Sequence, residues 1–139
     1  MIVAYLSFDG KTEEAFNFYS SALGGKIDSI QRFSDMPQGA PISEADKNKI
    51  MHISMTAADG SKLMGNDHLD FMGEKFIKGN NMSLSIHPKS KELADKAFTA
   101  LSEGGQIIVP MATAPWGDYF GMFNDRFGIK WMINYTASN

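Results

Sequence analysis

The apolar positions of this chain fall into short, turn-bounded runs, and the pattern of runs occurs twice. Residues 2–8 are apolar and β-prone and close at Asp9-Gly10, which predicts a strand followed by a turn. Thr12 then offers an N-cap, with Glu13 and Glu14 in the first turn, where the helix dipole favours negative charge. Ala15, Phe16, Tyr19, Ala22 and Leu23 make one apolar stripe at helical spacing, and Gly24-Gly25 stops it as a glycine just past a helix commonly does. Residues 26–33 predict a second strand, and residues 35–49, polar and carrying Pro37, Gly39 and Pro41, predict a loop. Residues 50–58 and 61–65 predict a hairpin joined by Asp59-Gly60, a strong hairpin signal. Residues 66–80 carry mixed charge and two glycines and predict a linker.

The order then starts again. Residues 81–87 predict a strand, and residues 90–103 a helix with Leu93, Ala94, Ala97, Phe98 and Leu101 on one face, ended by Gly104-Gly105. Residues 106–109, 119–124 and 129–135 complete the set as strands. Residue identities support a duplication. Ser7, Lys11, Glu14, Ala22 and Leu23 recur at one constant offset as Ser85, Lys89, Glu92, Ala100 and Leu101. After a short insertion Gly24, Gly25 and Ile27 match Gly104, Gly105 and Ile107, and Gly60, Lys62 and Met64 match Gly128, Lys130 and Met132. The expected organisation is one domain over 1–139, with a first module at 1–66, a linker at 67–80 and a second module at 81–136.

Composition narrows the function. A chain of 139 residues that is 43% hydrophobic and 21% charged is an ordinary globular domain. Its net charge of −3 argues against nucleic acid as a partner, since general binding there needs a basic face. No apolar run reaches the roughly 18–20 residues needed to span a bilayer, and MIVAYLSFDG lacks the basic start and small-residue cleavage site of a signal peptide. With no cysteine there is no disulfide, thiolate nucleophile or cysteine-ligated metal. A cytoplasmic protein without nucleic-acid or membrane partners is the expectation. No nucleophile elbow, phosphate-binding glycine loop or HExxH pair is present.

A twice-repeated βαβββ module of this size resembles the vicinal oxygen chelate superfamily, which holds glyoxalases, bleomycin-resistance proteins and extradiol dioxygenases. The run Glu14-Ala15-Phe16-Asn17-Phe18-Tyr19 with Leu23-Gly24-Gly25 is similar to that superfamily's first helix and its glycine stop. Trp116-Gly117-Asp118-Tyr119-Phe120-Gly121-Met122, then Asp125-Arg126-Phe127-Gly128-Ile129-Lys130-Trp131 and Asn134, resembles the PhnB-like branch, often labelled demethylubiquinone methyltransferase-like. The resemblance covers essentially the whole chain. It implies an α+β fold in which two tandem modules form an eight-stranded, incompletely closed barrel around a cleft, in a homodimer. The methyltransferase label does not carry over as an activity. S-adenosylmethionine is most often held by a glycine-rich turn leaving the first strand of a doubly wound sheet, and Phe8-Asp9-Gly10-Lys11 offers one glycine before a helix carrying Glu13 and Glu14.

Metal-using members place one histidine or carboxylate on each of four inner strands, and the resemblance puts those positions near Ala4, Met64, Asn81 and Met132. None is a customary ligand for a hard or borderline divalent ion, and their immediate neighbours are no better, so no metal and no cofactor are expected. Each of the three histidines has a plainer alternative. His52 alternates with Ser54 and Thr56 on one strand face, a polar strip suited to a ligand cleft, where His52 could donate a hydrogen bond or act as acid/base; pinning the neighbouring loop is the plainer role. His87 shares a face with Ser83 and Ser85 at a strand end, and His68 falls in the expected linker. Asp125, just before Phe127-Gly128, is expected to stabilise that turn.

Phe8, Trp116, Tyr119, Phe120, Phe123, Phe127 and Trp131 fall on segments that the resemblance places around the second module and its cleft. Trp131, Ile133 and Tyr135 read as core. The expected ligand-binding residues are Phe8, His52, Ser54, Ser83, Ser85, Trp116, Phe120 and Asn134. The first functional expectation is a metal-free binder of an unidentified small molecule at an aromatic-lined cleft. The second is a non-metal enzyme, of isomerase or lyase type, using His52 as acid/base. The third is a metal-dependent glyoxalase-like or dioxygenase-like enzyme, opposed by the four positions above.

Overall fold

A computed structural model describes residues 1–37 and 42–137. The expected loop at 35–49 is therefore seen in part, and its Gly39 and Pro41 lie outside the described residues. The chain divides into two compact units, Met1–Ile77 and the remainder from Lys78. Among the described residues each carries one α-helix and four strands in the order β, α, β, β, β, and the first also has three single-turn 3-10 helices. Among the described residues the strands form two four-stranded sheets, with no strand pairing between them to close a barrel.

In the first unit β1 (Ala4–Phe8), β2 (Lys26–Arg32), β3 (Ile50–Thr56) and β4 (Lys62–Asp67) lie in the order β1-β4-β3-β2. The first strand pairs in parallel with the fourth, and the other pairs are antiparallel. Helix α1 (Thr12–Ala22) buries Ala15, Phe16 and Tyr19 against one sheet face. Phe8, Ile53, Met55 and Leu63 meet it there, each no more than 8% exposed. Leu23 donates its N–H to the Tyr19 carbonyl, and the chain turns away at Gly24, whose φ of +62° suits a residue without Cβ.

Two expectations are corrected here. Thr12 does not cap its own helix. It is the first helical residue, and the Asp67 carboxylate from β4 accepts its N–H at 3.1 Å. Nor does β4 end at Gly65. It continues through Asp67, and Leu69, which the sequence assigns to a linker, is 4% exposed. The strand persists because Asp67 also accepts from Thr12 Oγ1 and from the Ile50 N–H, which binds it into the unit.

On the rim of this unit Arg32 donates two hydrogen bonds to Glu13, at 3.1 and 2.7 Å. That hydrogen bonding, with Arg32's charge adding to it, outweighs partial desolvation and lowers the Glu13 carboxyl below its ordinary value. The pair's stabilisation is present above the ordinary glutamate range and is lost as pH falls through the lowered value. Arg32→Ala should return the Glu13 titration, followed by NMR, to the ordinary range. Because the pair is partly exposed, the stability change should be only about 0–1 kcal/mol.

The second unit repeats the plan. Strands β5 (Leu84–Ile86), β6 (Gln106–Thr113), β7 (Tyr119–Asn124) and β8 (Lys130–Tyr135) lie in the order β5-β8-β7-β6, again with first and last strands parallel. Helix α2 (Lys91–Ser102) is capped by Ser90, whose side chain accepts the Leu93 N–H. It buries Ala94, Phe98 and Leu101 against Phe123, Trp131 and Ile133, with Phe98 edge-on to Phe123 at 5.1 Å. Leu93, expected on the apolar face, is 51% exposed. Strand β5 is shorter than expected, and β6 runs four residues further, past Pro110 at the sheet edge, where a missing N–H is tolerated.

The duplication holds in element order and strand pairing, with a shifted register. Met64 and Met132 occupy the same station, opposite Tyr5 and Ser85 respectively. Ser85 therefore corresponds to Tyr5, two residues from the Ser7 that identity suggests. The same comparison matches Asn66 with Asn134. Helix N-caps at Lys11 and Ser90 align Ala15 with Ala94 and Tyr19 with Phe98, one residue off the sequence register. Turns of unequal length let strands and helices slip separately.

Candidate functional site

One face of each sheet is covered by its helix, and the other faces away from it. Strand alternation assigns side chains to the two faces. In the first unit, Leu6, Phe8, Ile53, Met55 and Leu63 take the helix side. The open face carries two rows crossing all four strands. One is Tyr5, Met64, Ser54 and Ser29; the other, one alternation step on, pairs Ser7 with Asn66 and His52 with Gln31, the two pairs following from alternation just past the last β3–β4 pair, Ile53 with Gly65. The rows are hydrogen-bonded within themselves and to each other. Tyr5 Oη lies 3.1 Å from His52 Nδ1, Ser7 Oγ donates to Asn66 Oδ1 at 2.7 Å, and the Ser29 and Ser54 hydroxyls are 3.0 Å apart. Partial burial raises the Tyr5 phenol above its ordinary pKa.

The open face of the second unit is built from different residues. Its rows are Ser85, Met132, Met122 and Val109, then Asn134, Phe120 and Ala112. Trp116, in the turn between β6 and β7, stands edge-on to Phe120 at 5.6 Å and is 64% exposed. Asn134 donates to Asp118 at 2.9 Å, which fixes its carboxamide, and Ser85 pairs with His87 Nε2 at 3.0 Å.

Of the expected site residues, His52 and Ser54 share the open face of the first unit, while Ser85, Phe120 and Asn134, with Trp116 beside Phe120, share that of the second. Phe8 does not join them. It packs on Phe16 and Tyr19 beneath α1, because β1 turns its even-numbered residues to the helix. Ser83 precedes β5 and is exposed. Tyr5 is the residue the sequence did not single out. Its place on a strand was legible, but its bond to His52 follows only from pairing across the sheet. Asp125 holds its turn as expected, accepting from the Phe127 and Ile129 N–H groups and from Trp131 Nε1. His68 belongs to the first unit, stacked near Phe76 at 5.9 Å, with its Nε2 buried.

Two four-stranded βαβββ sheets, each with first and last strands parallel, define the glyoxalase/bleomycin-resistance class of fold, and solved structures named for that superfamily share it at 19% identity. Within that class the chain belongs to the 3-demethylubiquinone-9 3-methyltransferase family, whose model matches residues 1–134. It is similar to the structure of protein PA1353 from Pseudomonas aeruginosa, with 37% identity, a TM-score of 0.85 and coverage of 99% of this chain and 98% of that one. A PhnB protein from Bacillus cereus that carries the same methyltransferase name is 29% identical with a TM-score of 0.78, covering 97% and 98% of the two chains. Protein YjdN of Escherichia coli K12 is 28% identical, over 94% of this chain and 91% of its own length.

The groups that fold and family name imply can be tested against these residues. On the strands where the superfamily places its metal ligands, the open faces present Tyr5, Ser7, Met64 and Asn66 in one unit and Ser85, Met132 and Asn134 in the other. Ala4 faces the helix side with Leu63, and Asn81 precedes β5, so neither lies on an open face. The donors present are neutral oxygens, carboxamides and thioethers, and among the described residues no three His, Asp or Glu side chains gather. They do not fit a hard divalent ion. Nor do the residues fit S-adenosylmethionine at the β1–α1 turn. The sheet is not doubly wound, and the Thr12 N–H at the helix start is already taken by Asp67.

Proposed function

We propose that the protein is a metal-free binder of a small molecule, taken at the aromatic open face of the second unit. The observation that carries this reading is the surface made by Phe120, Met122 and Met132, extended by the exposed Trp116 ring and bordered by the Asn134 carboxamide and Ser85 hydroxyl. Apolar, polarizable groups with a few fixed polar ones suit an aromatic ligand carrying one or two hydrogen-bonding substituents. Asn134 has its orientation set by Asp118 before any ligand arrives, which lowers the entropy cost of recognition. The reading includes a cytoplasmic homodimer. Ile107, Ile108 and Val109, exposed on edge strand β6, support self-association. No helix among the described residues is long and apolar enough to cross a membrane.

A second reading, a non-metal isomerase or lyase using His52, draws on the Tyr5 hydrogen bond that orients the His52 ring. The binder reading comes first because it requires no proton transfer. Its test is a fluorescence titration with neutral aromatic alcohols, 1-naphthol first. Trp116 is exposed and Trp131 is 2% exposed, so a quench abolished in Trp116→Phe reports the open face. Phe120→Ala should raise the Kd about tenfold, equivalent to about 1.4 kcal/mol, with Tm little changed. A panel of aromatic compounds giving no saturable quench would sink the reading.

A further inference from the structure

The first unit carries a second open face, and its chemistry differs from that just described. Its eight positions are Tyr5, Met64, Ser54 and Ser29 in one row and Ser7, Asn66, His52 and Gln31 in the next. Apart from Met64 every one is polar, and none is a carboxylate, lysine or arginine. Beyond these rows Lys62 and Asp28 are 3.8 Å apart, and both also reach the Thr56 hydroxyl.

The internal hydrogen bonds of this face leave donors over. Tyr5 and His52 share one bond. If the phenol donates to Nδ1, the neutral imidazole keeps its proton on Nε2 and presents that N–H outward. If Nδ1–H donates to the phenol oxygen, the phenol O–H is the one left. Either tautomer leaves one donor. Asn66 accepts from Ser7 through Oδ1, and among the described residues neither N–H of its Nδ2 has a partner. The Ser29 and Ser54 pair uses one hydroxyl proton of two.

We infer that this face is a binding site for the carbonyl or carboxylate group of a small organic compound, with the donors of the Tyr5–His52 pair and of Asn66, neighbours across β1, β4 and β3, converging on its oxygens. A carbonyl or monoanionic carboxylate needs several N–H or O–H donors and no fixed counter-charge. A dianionic phosphate lacks a cation in these rows, and an ammonium lacks a carboxylate. The half-exposed Tyr5 ring and the Met64 thioether give the ligand's hydrocarbon part an apolar surface beside the polar end. This site lies on a different unit from the aromatic face and stands or falls separately from it.

The test is a titration of the isotope-labelled full chain with benzoate, with phenylphosphonate and benzylamine as controls, read on assigned amide and side-chain NMR signals. Benzoate is expected to shift Ser7, His52 and Asn66 saturably, and to bind at least tenfold more tightly than either control. Asn66→Asp keeps the acceptor for Ser7 but replaces the donors by a negative charge, and should raise the benzoate Kd more than tenfold. Tyr5→Phe, at a half-exposed position, serves if the first variant folds poorly, and should raise it severalfold. Benzoate shifts confined to Trp116 and Phe120, equal binding of the three probes, or a Kd indifferent to both variants would each overturn the site. Because 1-naphthol is read at Trp116 and benzoate at His52, failure of one site is distinguishable from failure of the other.

Discussion

Replacing Asp67 by alanine should lower the unfolding free energy by about 3–5 kcal/mol, the largest effect expected of any polar residue in the first unit. The side chain is 2% exposed and accepts three hydrogen bonds, from Thr12 N–H and Thr12 Oγ1 on one oxygen and from Ile50 N–H on the other. Thr12 Oγ1 keeps a second acceptor, the Asn66 carbonyl. The two backbone N–H groups would be left without protein partners, and each such buried donor costs about 1–3 kcal/mol. Asp67→Asn keeps one acceptor oxygen but turns an amide NH2 toward a donor, so about half the loss is expected. Urea denaturation measures both. Hydrogen exchange supplies the local check, since the Thr12 and Ile50 amides should lose protection ahead of the helix interior. A loss below about 1 kcal/mol for the alanine variant would mean that water replaces the carboxylate at little cost. The carboxylate joins the start of α1, the end of β4 and the start of β3. It thereby sets the strand on which His52 lies, and the benzoate response should weaken in the variant as well.

The second large effect is expected at Gly65. A methyl group there would sit 2.4 Å from the Leu6 carbonyl oxygen across the parallel β1–β4 ladder and 2.8 Å from the Phe16 ring. Alanine is ordinarily the better strand residue. Here it forces strand and helix apart, and about 3 kcal/mol of destabilisation is expected, at the upper end of ordinary overpacking. Combining it with Phe16→Leu separates the two clashes. The ring can be removed, but the carbonyl belongs to a paired backbone and has nowhere to go. The double variant should therefore recover only part of what the overpacking costs, after correction for Phe16→Leu alone. Full recovery would place the whole conflict at the ring. In the second unit the matching residue is Ile133, 0% exposed, and Phe98 instead stacks edge-on to Phe123. The two halves share strand order but pack their helices through different residues.

Gly65 shows how the sequence misleads. A glycine after Ser61-Lys62-Leu63-Met64 reads as a strand end, and Asn66-Asp67-His68 reads as a polar linker, because local patterns treat glycine as a breaker and a carboxylate as solvated. Gly65 lies inside β4 and Asp67 ends it, both for tertiary reasons, close approach of Phe16 in one case and capping of a helix far away in sequence in the other. Thr12 misleads for the same reason, since its cap comes from Asp67. Phe8 was expected at a cleft because aromatics line pockets and cores alike, and only the landing of α1 on that sheet face separates the two. Tyr5, one alternation step from the helix side, is exposed on the face where His52 lies.

That the chain is built from two βαβββ modules is legible without any structure, since turn glycines, helical stripes and strand runs recur in one order and are local signals. Its C-terminal signature carried the family, now matched over residues 1–134. The sequence also located the polar strip of His52 and Ser54, because a period of two needs no partner strand to be seen. Long-range packing is what pairs the first strand with the fourth, settles which face of each sheet the helix covers, and makes the two open faces differ, one hydrogen-bonding and one aromatic. The physical reason is that alternation fixes which residues travel together but not which set is buried. That choice is made by contacts between residues far apart in the chain, such as Phe16 with Gly65, Thr12 with Asp67 and Tyr5 with His52.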